Sequence, residues 1–220
     1  MPPLTTDLVL GALEAAAVIA SAIAGMIVAA EKRMDLIGAF SLACVNAFGG
    51  GTIRDILLDN RPFYWMANWG YLLAILALCL LFVYSVRMFR VATEVHRRSV
   101  KIDAVGLALF TITGVGIALG RDLPLVVAVL MGVIAGTTGG VLRDVVINEV
   151  PDLFRPGGLY ASASLAGALA FVGALQVDVA YANAALIGIV TIVLLRLASV
   201  RLGVGIPAPQ WLAKQKRDDS

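Results

Sequence analysis

Seven apolar runs dominate this 220-residue chain, and each is about as long as a helix that crosses a membrane. A helix needs roughly 20 apolar residues to cross a hydrocarbon core about 30 Å thick. Charged residues make up only 15% of the chain, whereas roughly 25% is typical of soluble domains. These spans, numbered one to seven, lie near residues 8–30, 36–58, 69–86, 102–119, 124–147, 159–177 and 180–200. The sequence therefore predicts an all-α membrane protein with seven transmembrane helices.

Basic residues are distributed unevenly over the connections between the spans. With seven spans, alternate connections lie on opposite sides of the membrane, and one side carries little basic charge beyond Arg61 and Arg121. The other side receives Lys32, Arg33, Arg87, Arg90, Arg97, Arg98, Lys101, Arg155, Arg201, Lys214, Lys216 and Arg217. Because basic loops stay in the cytoplasm, this pattern predicts an external N-terminus, a retained first helix and a cytoplasmic C-terminus. Trp65, Trp69 and Tyr71 then form an aromatic belt at the outer surface.

The chain contains an internal repeat. Shifting the sequence by 89 residues places spans one to three on spans four to six without a gap over about 65 positions. Each unit has an odd number of spans, so the second copy enters the membrane from the opposite side. The sequence thus predicts two inverted three-helix repeats, residues 1–90 and 91–178, followed by a seventh transmembrane helix at 179–201 and a cytoplasmic tail at 202–220. Inverted repeats of this kind place a binding or permeation site near the membrane midplane.

Glycine clusters occur at matching points of spans two and five. They are Gly49-Gly50-Gly51 and Thr138-Gly139-Gly140. One interpretation is a pair of kinked helices whose carbonyls and half-helix ends face an ion path, with Thr52, Thr137 and Thr138 adding oxygen ligands. The alternative is close helix packing through small residues. The duplication favours the ion path.

Ionisable residues follow both glycine clusters within the apolar runs. They are Arg54-Asp55 and Arg143-Asp144, and charges inside a membrane are costly and usually paired. Because adjacent residues do not face one another on a helix, each arginine is expected to need a partner elsewhere. Glu14 on span one and Asp103, its counterpart on span four, are the predicted partners. The alternative is that these charges extend to the nearest interface.

Motifs of soluble chemistry are missing from the sequence. There is no phosphate-binding loop, nucleophile elbow or Cys/His cluster, and His96 is the only histidine. The sequence therefore predicts no enzyme activity, no cofactor or metal beyond a permeant ion, and no nucleic-acid partner.

Two related motifs carry a resemblance to a known family. They are Gly49-Gly50-Gly51-Thr52-Ile53-Arg54-Asp55 and Gly139-Gly140-Val141-Leu142-Arg143-Asp144, set in duplicated three-span halves before a seventh span. In these features the chain resembles the prokaryotic trimeric intracellular cation (TRIC) channel family. This resemblance implies a homotrimer in the lipid of a prokaryotic plasma (inner) membrane. It further implies a pore inside each subunit that passes potassium or sodium, chiefly potassium. In that family spans two and five kink at the glycines and line the pore.

Two departures from the family pattern affect the expectations. Thr138 replaces the first glycine of the second cluster, which predicts a milder kink in span five. The Lys-Glu-Val motif of the animal channels is missing from span four, where the sequence reads Phe110-Thr111-Ile112-Thr113-Gly114, so gating of the animal kind is not expected. Some bacterial relatives are associated with glycine uptake, which leaves a small-amino-acid carrier as the alternative function.

The predicted topology can be tested with single cysteines and a membrane-impermeant thiol reagent. Cysteines at Arg61 and Asn183 should react in intact cells, because both positions lie in external connections. Cysteines at Arg98 and Lys214 should react only after lysis. The reverse pattern of labelling would overturn the orientation.

Overall fold

A computed structural model of the chain describes residues 3–89, 95–155 and 158–203, with no account of side chains at 3–5, 83–89 and 95–100. Its described part is helical and contains no strand. The α-helices are α1 (Pro3–Glu31), α2 (Leu36–Leu57), α3 (Tyr64–Ala67), α4 (Gly70–Phe89), α5 (Val95–Leu119), α6 (Leu125–Val146), α7 (Ala161–Gln176) and α8 (Tyr181–Leu202). A 3₁₀ turn, Asp152–Phe154, lies between α6 and α7.

The long helices correspond to the seven apolar runs, α3 being a short addition between spans two and three. Among the described residues, five helices are long and apolar enough to cross a membrane, namely α1, α2, α6, α8 and the Lys101–Leu119 part of α5. The apolar part of α4, Gly70–Phe82, and the whole of α7 are shorter. The prediction of an all-helical membrane protein is confirmed, whereas the count of seven crossings stays a prediction.

Helix boundaries differ most in the basic stretch between spans three and four. The sequence predicts a break from Arg87 to Lys101, but α4 continues to Phe89 and α5 already begins at Val95. Helical hydrogen bonds are satisfied within the segment, so a helix can extend beyond the apolar residues that cross the membrane. His96, Arg97 and Arg98 lie on α5, in the part whose side chains are not described, and Lys214, Lys216 and Arg217 lie outside the described residues.

Helix α5 lies at the centre of the bundle. It packs against α1 and α6, and also against α7 and α8. Fully buried small residues let the helices approach closely. They include Ala17 and Ala22 on α1 and Ala104 and Ala108 on α5. Such packing, rather than the hydrophobic effect, associates helices in lipid.

Helices α2 and α6 cross at their glycine clusters. A Cβ atom placed on Gly50 would overlap the carbonyl oxygen of Ala135, and one placed on Gly139 would lie 2.5 Å from the carbonyl oxygen of Asn46. Asn46 and Ala135 are themselves 89 residues apart, so the two contacts are reciprocal under the repeat. Reciprocal contacts of this kind are typical of a two-fold relation.

Both helices continue through their glycines without interruption. The expectation that each helix is broken into two halves at its glycines is therefore wrong. A bend within a continuous helix stays a prediction. The missing Cβ atoms at Gly50 and Gly139 allow backbone to approach backbone, which is the packing interpretation of the two clusters.

Alanine substitutions distinguish the glycines at the crossing from a neighbour with space around it. Gly50→Ala and Gly139→Ala should each destabilise the protein by about 1–3 kcal/mol, the usual cost of overpacking. Gly51→Ala is the matched control, because its Cβ would lie 3.8 Å from Arg54 Nη2 and 3.9 Å from Phe110 Cε1. Thermal unfolding in detergent measures the difference. Equal stability of all three variants would contradict the close crossing.

Candidate functional site

The first buried charge group, the Arg54 cluster, consists of Arg54, Glu14 and Asp55. Arg54 is completely buried. Its Nη2 atom lies 2.7 Å from Glu14 Oε1 and its Nε atom donates to Asp55 Oδ1 at 2.8 Å. Asp55 also accepts hydrogen bonds from the side chain of Asn60 and the backbone N–H of Tyr64. The cluster thus connects α1, α2 and the segment that leads into α3.

The second group, the Arg143 cluster, consists of Arg143, Asp103 and Asp144. Arg143 Nη1 lies 2.7 Å from Asp103 Oδ1, and Arg143 Nε donates to Asp144 Oδ1 at 2.9 Å. Asp144 Oδ2 accepts from the backbone N–H of Asp152 at 3.2 Å. Each member stands 89 residues after its counterpart in the Arg54 cluster, so the repeat preserves the chemistry as well as the sequence motif.

Each arginine contacts two carboxylates, one on the preceding helix of its repeat and one on the next residue. The expectation that an arginine cannot reach its own neighbour is therefore wrong. Adjacent Cβ atoms point in different directions, but the long arginine side chain lets Nε reach the neighbouring carboxylate. Burial of both guanidinium groups also argues against extension to an interface. Each cluster carries a formal charge of −1.

A second pair of contacts links the two repeats. Arg121 donates to the carbonyl oxygen of Leu58 at 2.6 Å and to Asn60 Oδ1 at 2.5 Å. Lys32 forms an ion pair with Glu149. Lys32 and Arg121 are related by the 89-residue shift, as are Asn60 and Glu149, so these contacts are reciprocal too. Hydrogen bonds from Lys32 and from Arg155 lower the pKa of Glu149, which keeps its carboxylate charged.

Cavities adjoin both clusters, but they differ in size. The large cavity, of about 260 Å³, adjoins the Arg143 cluster. The small cavity, of about 10 Å³, adjoins Glu14 and Asp55 of the Arg54 cluster. Charged residues around the large cavity are Glu31, Lys32, Asp103, Arg143, Asp144, Glu149, Asp152 and Arg155. The small cavity holds about one water molecule at most.

Among the predicted path residues, Gly51 and Thr52 border the small cavity. Gly49 packs against Leu142 of α6, and a Cβ atom on Gly140 would lie 2.5 Å from the hydroxyl of Tyr160. The remaining glycines, Gly50 and Gly139, form the crossing described above. Most of the glycines therefore make helix contacts, and only part of the predicted set adjoins a cavity.

The threonines hydrogen-bond in different ways. Thr137 and Thr138 donate to the carbonyl oxygens of Val133 and Ile134 one turn earlier in α6. Thr52 instead accepts a hydrogen bond from the indole of Trp65 at 3.1 Å. Their oxygen atoms thus serve helix and tertiary contacts in this structure, and a role as ion ligands stays a prediction.

Sequence reasoning missed Arg196 on α8 and the tertiary role of Trp65. Arg196 is buried, donates to Asp152 Oδ2 at 2.8 Å and lies over the ring of Tyr160. A single arginine within the last apolar run was a sufficient signal, since charges in a membrane are rarely unpaired. Trp65, assigned to an aromatic belt, is half-buried against α2, whereas Trp69 is exposed. No group of described residues has the composition of a metal site.

Charge removal tests the energetics of the Arg54 cluster. Arg54→Ala leaves two buried carboxylates without a counterion and should cost about 3–5 kcal/mol. Glu14→Gln should cost much less, because Arg54 and Asp55 remain paired. Glu14→Gln added to Arg54→Ala should recover part of the loss, since one buried charge is removed. Unfolding in detergent provides the measurement.

The control for this series is Asp59→Asn. The Asp59 side chain is 95% exposed and 3.9 Å from Arg61, and exposed pairs of this kind contribute little. Asparagine also tolerates the positive φ of 49° at this position. If Arg54→Ala and Asp59→Asn had equal effects on stability, the buried cluster would not contribute as proposed.

Comparison with known proteins identifies relatives over most of the chain. A family model described as glycine transporter matches residues 11–87 and again residues 100–176, an offset equal to the 89-residue shift of the repeat. The chain is 36% identical over 192 residues to the UPF0126 inner membrane protein YadS of Escherichia coli (strain K12), a match that covers 84% of this chain and 89% of that protein. A UPF0126 membrane protein of Vibrio cholerae is 36% identical over 187 residues, 84% of this chain and 77% of that protein.

Solved structures give the same relationship. The TRIC trimeric intracellular cation channel orthologue from Rhodobacter sphaeroides superposes with a TM-score of 0.82 and 33% identity, over 89% of this chain and 99% of that one. A prokaryotic TRIC channel crystallised in 0.5 M KCl superposes with a TM-score of 0.81 and 27% identity, over 89% and 98%. TRIC channels are neither enzymes nor cofactor-dependent proteins. The chain is thus a membrane protein of the prokaryotic TRIC channel family, to which the model described as glycine transporter also belongs.

Proposed function

We propose that this protein is a cation channel selective for monovalent ions, with potassium as the main permeant ion and sodium as a second. The observation that carries the proposal is the pair of buried Arg–carboxylate clusters, each adjoining a cavity inside a single subunit. The two clusters lie on α2 and α6, beyond the point where these helices cross, and each occupies the last turn of its helix. A path that connects the two cavities would cross the membrane within one subunit.

The crossing limits where such a path runs. Gly50 and Gly139 bring the backbones of α2 and α6 into contact, so no ion passes directly between these two glycines. We place the path beside the crossing, on the side that faces α1 and α5. Glu14 on α1 and Asp103 on α5 line the small and the large cavity respectively, which supports this location. The sequence predicts a pore between the second and fifth spans, and we now place it beside the point where these two helices cross.

Charge around the large cavity favours cations. Its five carboxylates outnumber its three basic side chains, and a cleft lined by a net charge concentrates ions of the opposite sign. Carbonyl groups at the glycines remain in continuous helices, so they are not free to replace an ion's hydration shell. We therefore expect a largely hydrated ion and only modest discrimination between potassium and sodium.

Topology and assembly complete the proposal. The reciprocal contacts Gly50–Ala135 and Gly139–Asn46 support two inverted repeats, and the uneven basic residues support an external N-terminus and a cytoplasmic C-terminus. Large apolar side chains are exposed on α2, α6 and α8, including Ile56, Leu130 and Leu194. Lipid and neighbouring subunits would cover them in a homotrimer, the assembly named for the Rhodobacter sphaeroides relative.

A glycine carrier is the second candidate, and the unequal cavities favour it. A carrier exposes its site to one side at a time, and here the cavity beside one cluster is about 260 Å³ while the cavity beside the other is about 10 Å³. The large cavity also offers both carboxylate and guanidinium groups, which a zwitterionic amino acid requires. The description of the matched family model as glycine transporter supports the same alternative.

Purified protein in a planar bilayer separates the two functions. Under a potassium chloride gradient, a channel gives unitary currents that reverse towards the potassium equilibrium potential. Asp103→Asn should lower the potassium conductance several-fold, because it removes one carboxylate from the large cavity and leaves Arg143 paired with Asp144. Asp59→Asn, an exposed carboxylate outside both cavities, is the control and should conduct as the wild type does.

Saturable glycine uptake without unitary currents would favour the carrier and reject the channel. Unitary currents that reverse towards the chloride potential would also reject the proposal, because they would mean that the path selects anions.

A further inference from the structure

The cavities beside the two clusters differ in volume, although each adjoins equivalent carboxylates. Glu14 and Asp55 border the small cavity at positions equivalent to Asp103 and Asp144 around the large one. The volumes are about 10 Å³ and 260 Å³ respectively. Tyr64 and Trp65 of α3 both line the small cavity, so α3 forms one wall of it.

Trp65 is docked on the glycine-rich part of α2. Its indole N–H donates to Thr52 Oγ1 at 3.1 Å, and its ring lies 5.9 Å from that of Phe48 between centroids. The segment is further attached by Tyr64, whose N–H donates to Asp55 and whose hydroxyl donates to that of Tyr71 at 2.9 Å. Aromatic contacts and hydrogen bonds together hold α3 against α2 beside the small cavity.

At the other end, the equivalent residues do not form this arrangement. The residue 89 positions after Trp65 is Phe154, which is 66% exposed. The position equivalent to Thr52 is Val141, which has no hydroxyl to accept a hydrogen bond. Because Val141 and Phe154 stand at these two positions, the second repeat cannot form the hydrogen bond that joins Trp65 to Thr52.

A further contact fixes this end in place. Arg196 donates to Asp152 Oδ2 at 2.8 Å and lies 4.6 Å above the ring of Tyr160. Asp152 begins the turn that carries Phe154, and its N–H is bonded to Asp144. Arg196 belongs to α8, which lies outside the duplicated part of the chain. The position equivalent to Asp152 in the first repeat is Phe63, which cannot form such an ion pair.

We propose that Trp65 is the outer gate of the subunit and that Arg196 holds the inner mouth open through Asp152. Ions pass when the indole leaves Thr52 and α3 moves away from the Arg54 cluster, while the inner turn keeps its position. This inference rests on the proposed channel function and adds to it the identity of the closed end. The exposed Phe154 has no gating role.

Potassium flux from proteoliposomes that contain the full-length protein tests the gate. Thr52→Val removes the hydrogen bond and nearly keeps the side-chain volume, and Trp65→Phe removes the same hydrogen bond together with part of the indole. Both should therefore raise the flux by at least roughly threefold to tenfold, the shift that one hydrogen bond produces in a two-state equilibrium. Trp65→Ala also removes the ring and should raise it further. Phe154→Ala is the matched control at the equivalent position and should leave the flux unchanged.

The possible results distinguish a failure of the gate assignment from a failure of the proposed channel function. If the wild type passes potassium but correctly folded Thr52→Val and Trp65→Phe pass no more, Trp65 is not the gate and the channel function stands. An equal rise in Phe154→Ala would also overturn the assignment, because the two ends would then be equivalent. If neither the wild type nor any folded variant passes potassium, the channel function itself fails, and the gate with it.

Discussion

The rest of the structure depends on the cost of placing a guanidinium group inside a membrane. An unpaired charge in hydrocarbon is expensive, and Arg54 is completely buried. One carboxylate would neutralise it, but Glu14 on α1 and Asp55 on α2 both contact it, so the arginine connects two helices. Asp55 in turn binds the backbone of Tyr64. A single arginine thereby determines how two helices and the following segment are arranged.

Because the unit is duplicated, the same charge cluster occurs twice, and the two repeats must also pack against each other. Two repeats related by a two-fold axis meet at an interface where each contact occurs in both directions. Gly50 against Ala135 and Gly139 against Asn46 are such a pair. Residues with a Cβ atom would separate α2 and α6 at this point and move the two charge clusters apart. The glycines therefore matter first for the distance between the repeats, and any ion path has to run beside them.

The features that suggest regulation are those that break the symmetry. Thr52 accepts a hydrogen bond from Trp65, whereas the equivalent positions hold Val141 and an exposed Phe154. Helix α8, which has no counterpart in the repeats, adds Arg196 to one end only. Two ends built from the same cluster thus differ in the contacts that hold them.

The sequence by itself determined the properties that depend on local composition: membrane-length apolar runs, the duplicated motif and the two pairs of ionisable residues that need partners. The repeat also indicated Glu14 and Asp103 as partners, because a carboxylate recurs at the same offset from each arginine. Tertiary structure alone decided that each arginine also reaches its neighbouring aspartate, that Gly50 and Gly139 bring backbones into contact, and that Trp65 lies on Thr52. The glycine contacts follow from distances of a few ångströms between helices far apart in the chain, and the other two follow from side-chain geometry that residue spacing does not specify. Periodicity and composition specify which face of a helix is apolar, but not how closely that face approaches another.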